Sequence, residues 1–261
     1  MPMYYPLGKL PTKIDTRTLK MNTFLKPEDE LPSIPETYDI DVSMGCIIPL
    51  NDFGNKTWGD CVIAGRANLT QRFEFYEQKI VVPITTEDVL NQYWIEQGVL
   101  DPKCWLTKKL HLLPDRGLSM LESLDIWRKC GWQINKNEYN IYAFATLDAI
   151  NEIKQSIYFL NGAYVGMQVS KSAMSQFNKG LLWEVPEIES PIIGGHAIAV
   201  IGYSPTDVTC ITWGVKQKMT WDFFKKYTDE AYGVVDNKNS WSVNSILDVE
   251  KLTTQLNIIT A

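Results

Sequence analysis

The amino-acid sequence predicts an α+β protein in which a helical N-terminal lobe precedes a lobe built from a β-sheet. The first half of the chain contains long segments with apolar residues at helical spacing, whereas the second half contains short runs rich in β-branched and aromatic residues. The chain has 261 residues, of which 45% are hydrophobic, so it can bury a large core. We therefore expect two lobes of different secondary structure that share a cleft.

Four helices are predicted in the first half. The first begins after Asp60, a residue type that caps helices well, and continues to about Lys79. Its apolar positions alternate with the polar residues Arg66, Gln71 and Glu74, which indicates a helix with one buried face. A glycine lies near the end of each of the other three predicted helices, which cover residues 87–98, 115–132 and 147–162.

The second half carries the segments that are typical of strands. These are residues 163–169, 196–204, 208–214 and 231–236. The tail over residues 246–259 is predicted to form a last helix.

Three regions of the chain follow from these patterns. Residues 1–44 are rich in proline at their start, which indicates an extended arm that lies over a domain. Residues 45–236 form the predicted domain, with a helical lobe over about 45–160 and an antiparallel β lobe over 161–236. Residues 237–261 are expected to form a helical extension.

Composition narrows the classes of partner. The net charge is −6 and there is no run of Lys or Arg, which argues against nucleic acid or an anionic membrane as the partner. No apolar stretch reaches the length of a membrane span, and the N-terminus lacks the apolar core of a secretory signal. The five cysteines are odd in number and widely spaced, which favours reduced thiols over a disulfide framework. We expect a cytoplasmic or virus- or phage-associated protein, and the patterns do not indicate its oligomeric state.

Cys61 is the strongest candidate for a nucleophile. It follows Asp60 at the predicted start of a long helix, where unpaired backbone N–H groups and the helix dipole lower the pKa of a thiol. Asn55 lies six residues upstream, so its amide can donate to an oxyanion together with the backbone N–H of Cys61. The alternative is that Cys61 is one more inert core thiol, which is the commoner fate of a cysteine in an apolar helix.

A reactive cysteine needs a base, and the chain contains two histidines. His196 follows two glycines at the start of a predicted strand, a position from which an imidazole can reach across a cleft. His111 lies in a loop-like segment without such a setting. The alternative for His196 is a structural histidine with satisfied hydrogen bonds. With so few histidines and no CxxC pair, we expect neither a metal nor a cofactor.

Several segments resemble the papain-like cysteine peptidases. NKTWGDCVIA is similar to the family's segment in which a glutamine stands six positions before the catalytic cysteine of the central helix. DRGLSMLESLDIWRKCGW resembles its glycine-containing substrate-binding segment, and NGAYVGMQV followed by GGHAIAVIGY resembles the approach to its histidine. CITWG stands where the family has Asn-Ser-Trp-Gly, and GKLP and MTWDFF resemble blocks of a divergent bacterial and phage-associated branch. The matched order covers about residues 45–236.

The resemblance implies a papain-like two-lobe fold whose central helix starts at the nucleophile Cys61, with His196 as the base. The sequence departs from the family at the residue that orients the histidine, because the alignment puts Ile211 in place of the asparagine. Thr212 is the nearest polar residue and the candidate for the orienting role, but strand alternation is expected to turn it to the other face unless a bulge intervenes. A second departure is Asn55 in place of glutamine, which keeps the amide on a shorter stem. Asn239-Ser240-Trp241 lies too far along the chain and is interpreted as a coincidence.

The predicted function is hydrolysis of peptide or isopeptide bonds by a Cys-His dyad, with a peptide or protein as the substrate. Two other functions remain open: a binding or structural protein on the same scaffold with weakened catalysis, and acyl transfer of the transglutaminase type. Five further residues are expected to line the cleft, although core packing is the alternative for the tryptophans: Trp58, Gly59, Gly117, Gly195 and Trp213.

Overall fold

The helices follow from capping residues and buried apolar faces. The structure is a computed structural model that describes residues 4–45, 48–99, 114–236 and 246–260. Thr85 caps its helix through a reciprocal bond with Asp88, and Ser119 caps the next. The helices are α1 (Ile40–Met44), α2 (Cys61–Gln78), α3 (Thr86–Glu96), α4 (Met120–Cys130), α5 (Ile150–Phe159), α6 (Lys171–Asn178), α7 (Trp221–Tyr227) and α8 (Val249–Thr260).

Helix α2 is the centre of the helical lobe and is buried on nearly all sides. The expectation of a single buried face is wrong here, because Arg66, Gln71 and Glu74 are also buried. The guanidinium of Arg66 pairs with Glu96 at 2.8 Å, and the Arg66 side chain lies 4.9 Å from the ring centre of Trp127. Paired polar side chains thus allow a helix with mixed composition to pass through the core.

The strands form one large sheet and one small hairpin. They are β1 (Leu19–Lys20), β2 (Tyr38–Asp39), β3 (Trp132–Ile134), β4 (Asn137–Tyr139), β5 (Ile141–Thr146), β6 (Ala163–Ser170), β7 (Ile192–Tyr203), β8 (Asp207–Thr212), β9 (Val215–Thr220) and β10 (Thr228–Asp236). The large sheet has the order β1-β5-β10-β6-β7-β8-β9, with β2 also paired to β7, and β3 pairs with β4. Every pair is antiparallel except β1 with β5. The α+β class with a helical N-terminal part and an antiparallel C-terminal sheet is confirmed.

Some elements were not predicted from the sequence. Strand β5 lies inside the segment assigned to the helical lobe, yet it joins the large sheet between β1 and β10. Strand β9 has a mixed exposure and a polar sequence, so it lacks the apolar run that marks the other strands. Helix α7 is short and directly follows β9.

The two lobes meet where α2 begins. The first residue of α2 lies against β7, whose residue His196 is paired with Met167 of β6. The N-terminal arm crosses this junction, since Lys9 pairs both with Leu118, which precedes α4, and with Gly195 of β7. The arm therefore runs between the start of α4 and strand β7, close to the start of α2.

Candidate active site

Cys61 is the first residue of α2 and is completely buried. The backbone N–H of Ala197, the residue after His196, donates to its sulfur at 3.4 Å. The helix start thus presents the thiol to the backbone of β7, next to the residue that follows His196. Asp60 occupies the N-cap position, but its side chain makes no capping hydrogen bond.

His196 is held by two neighbours on the strand and turn that follow. Its Nε2 lies 2.6 Å from the hydroxyl of Thr212, and its ring stacks on Trp213 with centres 4.2 Å apart and an angle of 16° between planes. Within the described residues, Nδ1 is buried and has no hydrogen-bond partner. One ring nitrogen is therefore fixed, while the other keeps its hydrogen-bonding capacity unused.

The register of β7 and β8 explains why Thr212 reaches the imidazole. Ala199 lies opposite Ile211, which places Thr212 opposite Ile198. Side chains two residues apart on a strand share a face, so His196 and Thr212 are diagonal neighbours on one side of the sheet. The expectation that alternation turns Thr212 away from the imidazole is wrong. Ile211 and Thr212 do lie on opposite faces of the strand, but Thr212 is the one that faces His196. The bulge lies elsewhere, between Val200 and Gly202.

Asn55 lies in the loop before α2 and is nearly fully buried. Its amide nitrogen donates to the carbonyl of Trp58 at 3.0 Å and to the carboxylate of Asp60 at 2.9 Å. An amide nitrogen carries two hydrogens, and both are used inside this loop. Its donation to an oxyanion stays a prediction, and it requires that one of these two bonds opens.

The expected cleft residues contact the N-terminal arm. The backbone approach is so close that a Cβ on Gly59 would lie 3.1 Å from the Cα of Gly8, and one on Gly117 would lie 2.2 Å from the carbonyl oxygen of Gly8. Gly195 accepts a backbone hydrogen bond from Lys9 at 3.1 Å. The glycines at these positions leave room for an extended chain.

The two tryptophans expected in the cleft differ in their surroundings. Trp213 is buried between His196 and Tyr5 of the arm, whose ring lies 5.1 Å away in a stacked arrangement. Trp58 packs edge to face on Trp94 at 5.7 Å, within the helical lobe. Trp213 thus shields the imidazole, whereas Trp58 supports the loop that leads into α2.

Comparison with solved structures identifies the architecture. Xylellain, a cysteine protease from Xylella fastidiosa, superposes with a TM-score of 0.66 at 14% identity over 90% of this chain and 97% of its own. Procathepsin B S9 from Trypanosoma congolense gives 0.59 at 12% identity over 89% and 87%. The Carica candamarcensis cysteine protease CMS1MS2, solved with E-64, gives 0.55 at 12% identity over 78% and 100%.

The fold is papain-like. No family model and no curated protein matches the chain by sequence. The structural neighbours are papain-like cysteine proteases, so the resemblance inferred from the sequence motifs is confirmed for the architecture.

Burial controls the protonation of both groups in this papain-like site. It raises the pKa of the Cys61 thiol from 9.0 to about 11, and the backbone N–H groups of Ala197 and Gly8 offset only part of this rise. Burial also lowers the pKa of His196 from 6.5 to about 3. The sequence led us to expect a thiol of low pKa at the helix start, but with the arm in place desolvation outweighs the helix dipole. Both groups are neutral at pH 7 in this arrangement.

A polar network that the sequence did not reveal ties the cleft loops together. The carboxylate of Asp115 accepts from the backbone N–H of Gly59 at 3.0 Å and from the hydroxyl of Tyr93 at 2.6 Å. That hydroxyl in turn accepts from the backbone N–H of Gly117 at 3.0 Å. No motif marks Tyr93 or Asp115, because their roles depend on contacts between separate segments.

Three further findings concern the remaining expectations. His111, Cys46 and Cys104 lie outside the described residues. Among residues 4–45, 48–99, 114–236 and 246–260, no helix combines the length and apolar character that a membrane span requires. Within the same ranges, no three His, Cys, Asp or Glu side chains are arranged to hold a metal ion.

Proposed function

We propose that the protein is a thiol hydrolase that cleaves peptide or isopeptide bonds with Cys61 as nucleophile and His196 as general base. The observation that supports this most directly is that the Cys61 sulfur contacts the backbone N–H of Ala197, the residue after His196, while Thr212 holds Nε2 of the imidazole and Nδ1 is unused. A thiol at a helix start with an oriented imidazole as its neighbour is the arrangement that nucleophilic catalysis by cysteine requires.

The reaction would proceed in two steps. The thiol proton passes to Nδ1 of His196, the sulfur of Cys61 attacks the carbonyl carbon, and the imidazolium returns the proton to the leaving amine as the C–N bond breaks. Water then attacks the thioester carbon while His196 takes a proton from it, the C–S bond breaks, the acid is released, and the imidazolium returns its proton to the sulfur of Cys61. Thr212 would accept from the Nε2 hydrogen, which keeps a lone pair on Nδ1.

The oxyanion would need two donors, one from the helix start and one from the loop before it. The backbone N–H of Cys61 belongs to the first residue of α2, a position at which an amide has no acceptor within the helix. Asn55 would be the second donor if its bond to Asp60 opens during the reaction. An Asn55→Ala variant separates this role from a structural one: loss of an oxyanion donor slows peptide hydrolysis by roughly 10²–10³-fold and spares alkylation, which develops no oxyanion. Equal slowing of both reactions would assign Asn55 to positioning the loop.

A binding or structural protein on this scaffold is the second candidate. The observation that favours it is the burial of Cys61 and His196, which keeps the thiol and the imidazole uncharged while the arm lies over them. The two functions differ in what happens when the arm moves, because only a hydrolase gains a reactive thiolate.

Alkylation combined with peptide hydrolysis tests the proposed function. Once the arm is displaced, we expect iodoacetamide to modify Cys61 before Cys210, which is a matched buried thiol on β8. We also expect Cys61→Ser to abolish hydrolysis while Cys210→Ser does not. Added amines should not divert the product into amides; efficient diversion would favour acyl transfer. If the protein hydrolyses no peptide in a broad library and iodoacetamide modifies Cys61 no faster than Cys210, the results would support the binding role instead.

A further inference from the structure

The N-terminal arm is laid into the cleft as an extended strand. The carbonyl of Gly8 accepts from the backbone N–H of Leu118 at 2.8 Å, and the N–H of Leu10 donates to the carbonyl of Leu118 at 2.9 Å. On the other side, the N–H of Lys9 donates to the carbonyl of Gly195 at 3.1 Å. Main-chain bonds of this kind bind any extended peptide, so sequence preference must come from pockets for side chains.

The side chain of Lys9, which lies between these main-chain hydrogen bonds, fills such a pocket. The Lys9 side chain is completely buried, and its ammonium contacts Asp229 at 3.0 Å and Glu230 at 2.8 Å. Its stem runs past Gly166, where a Cβ would lie 2.2 Å from Cε of Lys9 and 2.8 Å from the sulfur of Met120. The pocket therefore has room for an unbranched stem because residue 166 is glycine.

The two carboxylates are held in place by their own partners. The hydroxyl of Tyr232 donates to Glu230 at 2.9 Å, and the amide of Gln168 donates to Asp229. Glu230 is almost completely buried, whereas Asp229 is 23% exposed at its side chain. Two carboxylates face one ammonium, so departure of Lys9 would leave two negative charges close together and partly desolvated.

We propose that this pocket, formed by Asp229, Glu230 and Gly166, is a recognition site for the lysine side chain of a peptide bound in the cleft, and that Lys9 is its resting occupant. The inference rests on the proposed function, because it names the substrate class of the same cleft. Peptides with a lysine at this position are the preferred ligands, and they must displace the arm to enter. An uncharged stem of equal length gains the apolar contacts but leaves the carboxylates unpaired.

Binding of a peptide probe tests the pocket without requiring cleavage of the peptide. The probe is a labelled peptide with the arm's own sequence YYPLGKLPT, compared with the same peptide carrying norleucine in place of lysine. The protein is the full chain with Cys61→Ser, to prevent cleavage, and Lys9→Met, to weaken the resting occupant. Lys13→Met is the matched control, since Lys13 is a half-exposed arm lysine paired with Glu122.

We expect the lysine peptide to bind at least about tenfold more tightly than the norleucine peptide, and Glu230→Gln to remove most of this difference. Equal affinity for the two peptides would overturn the proposal, as would tighter binding of an arginine peptide than of the lysine peptide. If Lys9→Met does not fold, Gly8→Val displaces the arm without changing the pocket, because a Cβ on Gly8 would lie 1.7 Å from the carbonyl oxygen of Gly59.

Failure of the pocket and failure of the proposed function give different results. A lysine preference in the Cys61→Ser protein shows recognition even if the wild-type thiol proves inert. Conversely, rapid alkylation of Cys61 together with equal affinity for the lysine and norleucine peptides would support the hydrolase and exclude the pocket as its lysine recognition site.

Discussion

Replacing Thr212 by valine removes the hydroxyl that holds His196 and retains a side chain of similar shape. The hydrogen bond is 2.6 Å long, and both residues are buried, at 0% exposure for His196 and 4% for Thr212. The valine leaves Nε2 without its partner in a site where Nδ1 already has none within the described residues. A buried polar group that loses its partner costs about 1–3 kcal/mol.

We therefore expect Thr212→Val to lower the free energy of unfolding by about 1–3 kcal/mol. If the hydroxyl also selects the Nε2–H tautomer, the alkylation rate of Cys61 should fall by roughly 5- to 150-fold, which is the same energy expressed as a rate. Trp213 still stacks on the ring, so the imidazole should remain near its place while its tautomer becomes mixed. Thr209→Val is the control, because Thr209 is a buried threonine on the same strand.

Urea unfolding measures the stability, and ¹⁵N NMR of the imidazoles measures the tautomer. The chain contains only two histidines, so the signals of His196 are assigned by comparison with His111→Ala. Wild type should show the Nε2–H form, and Thr212→Val a mixture of both forms. An unchanged tautomer together with an unfolding free energy equal to that of Thr209→Val would refute the role of Thr212.

Three further predictions follow from burial and steric fit. Gly8→Val should displace the arm and raise the iodoacetamide rate of Cys61 at pH 7 by at least about tenfold, measured by peptide mapping; an unchanged rate would show that the arm does not protect the thiol. Gly166→Ala should exclude the stem of Lys9 and weaken binding of the YYPLGKLPT peptide by at least about tenfold in the arm-displaced protein, whereas full retention of affinity would place the lysine elsewhere. Because the pKa of His196 is lowered, its imidazole takes up a proton below about pH 6.5 in the unfolded state but only near pH 3 in the folded state. The urea midpoint of unfolding should therefore decline as the pH falls from about 6.5 to 3, and it should decline less in His196→Ala.

The sequence predicted those parts of the fold that depend on local pattern. Helix α2 was expected to begin after Asp60 and end near Lys79, and it spans Cys61–Gln78, since apolar spacing and a cap residue are visible within one segment. Strand β9 was not predicted, because its side chains are largely polar and its stability comes from pairing with β8. The burial of Arg66 was also not predicted, because its partner Glu96 belongs to another helix.

The candidate site likewise contains residues that local sequence patterns predict and contacts that they do not. Cys61 and His196 could be named because each stands in a recognisable local setting. Thr212 could be named as a possible partner of His196, but its contact without a bulge could not be predicted, because it depends on which residue of β8 pairs with Ala199. The pocket around Lys9 was missed for a similar reason: its ammonium bonds to Asp229 across 220 positions of the chain. Side chains joined over such distances leave no signal in the spacing of residues.

The pH dependence of Cys61 alkylation in the Gly8→Val protein tests the central claim most directly. With the arm displaced, we predict that the rate reaches a plateau below the ordinary thiol pKa of 9.0 and that His196→Ala in the same background removes this plateau. A rate that keeps rising through pH 9 and is the same in the presence and absence of His196 would contradict the assignment of Cys61 and His196 as a catalytic pair.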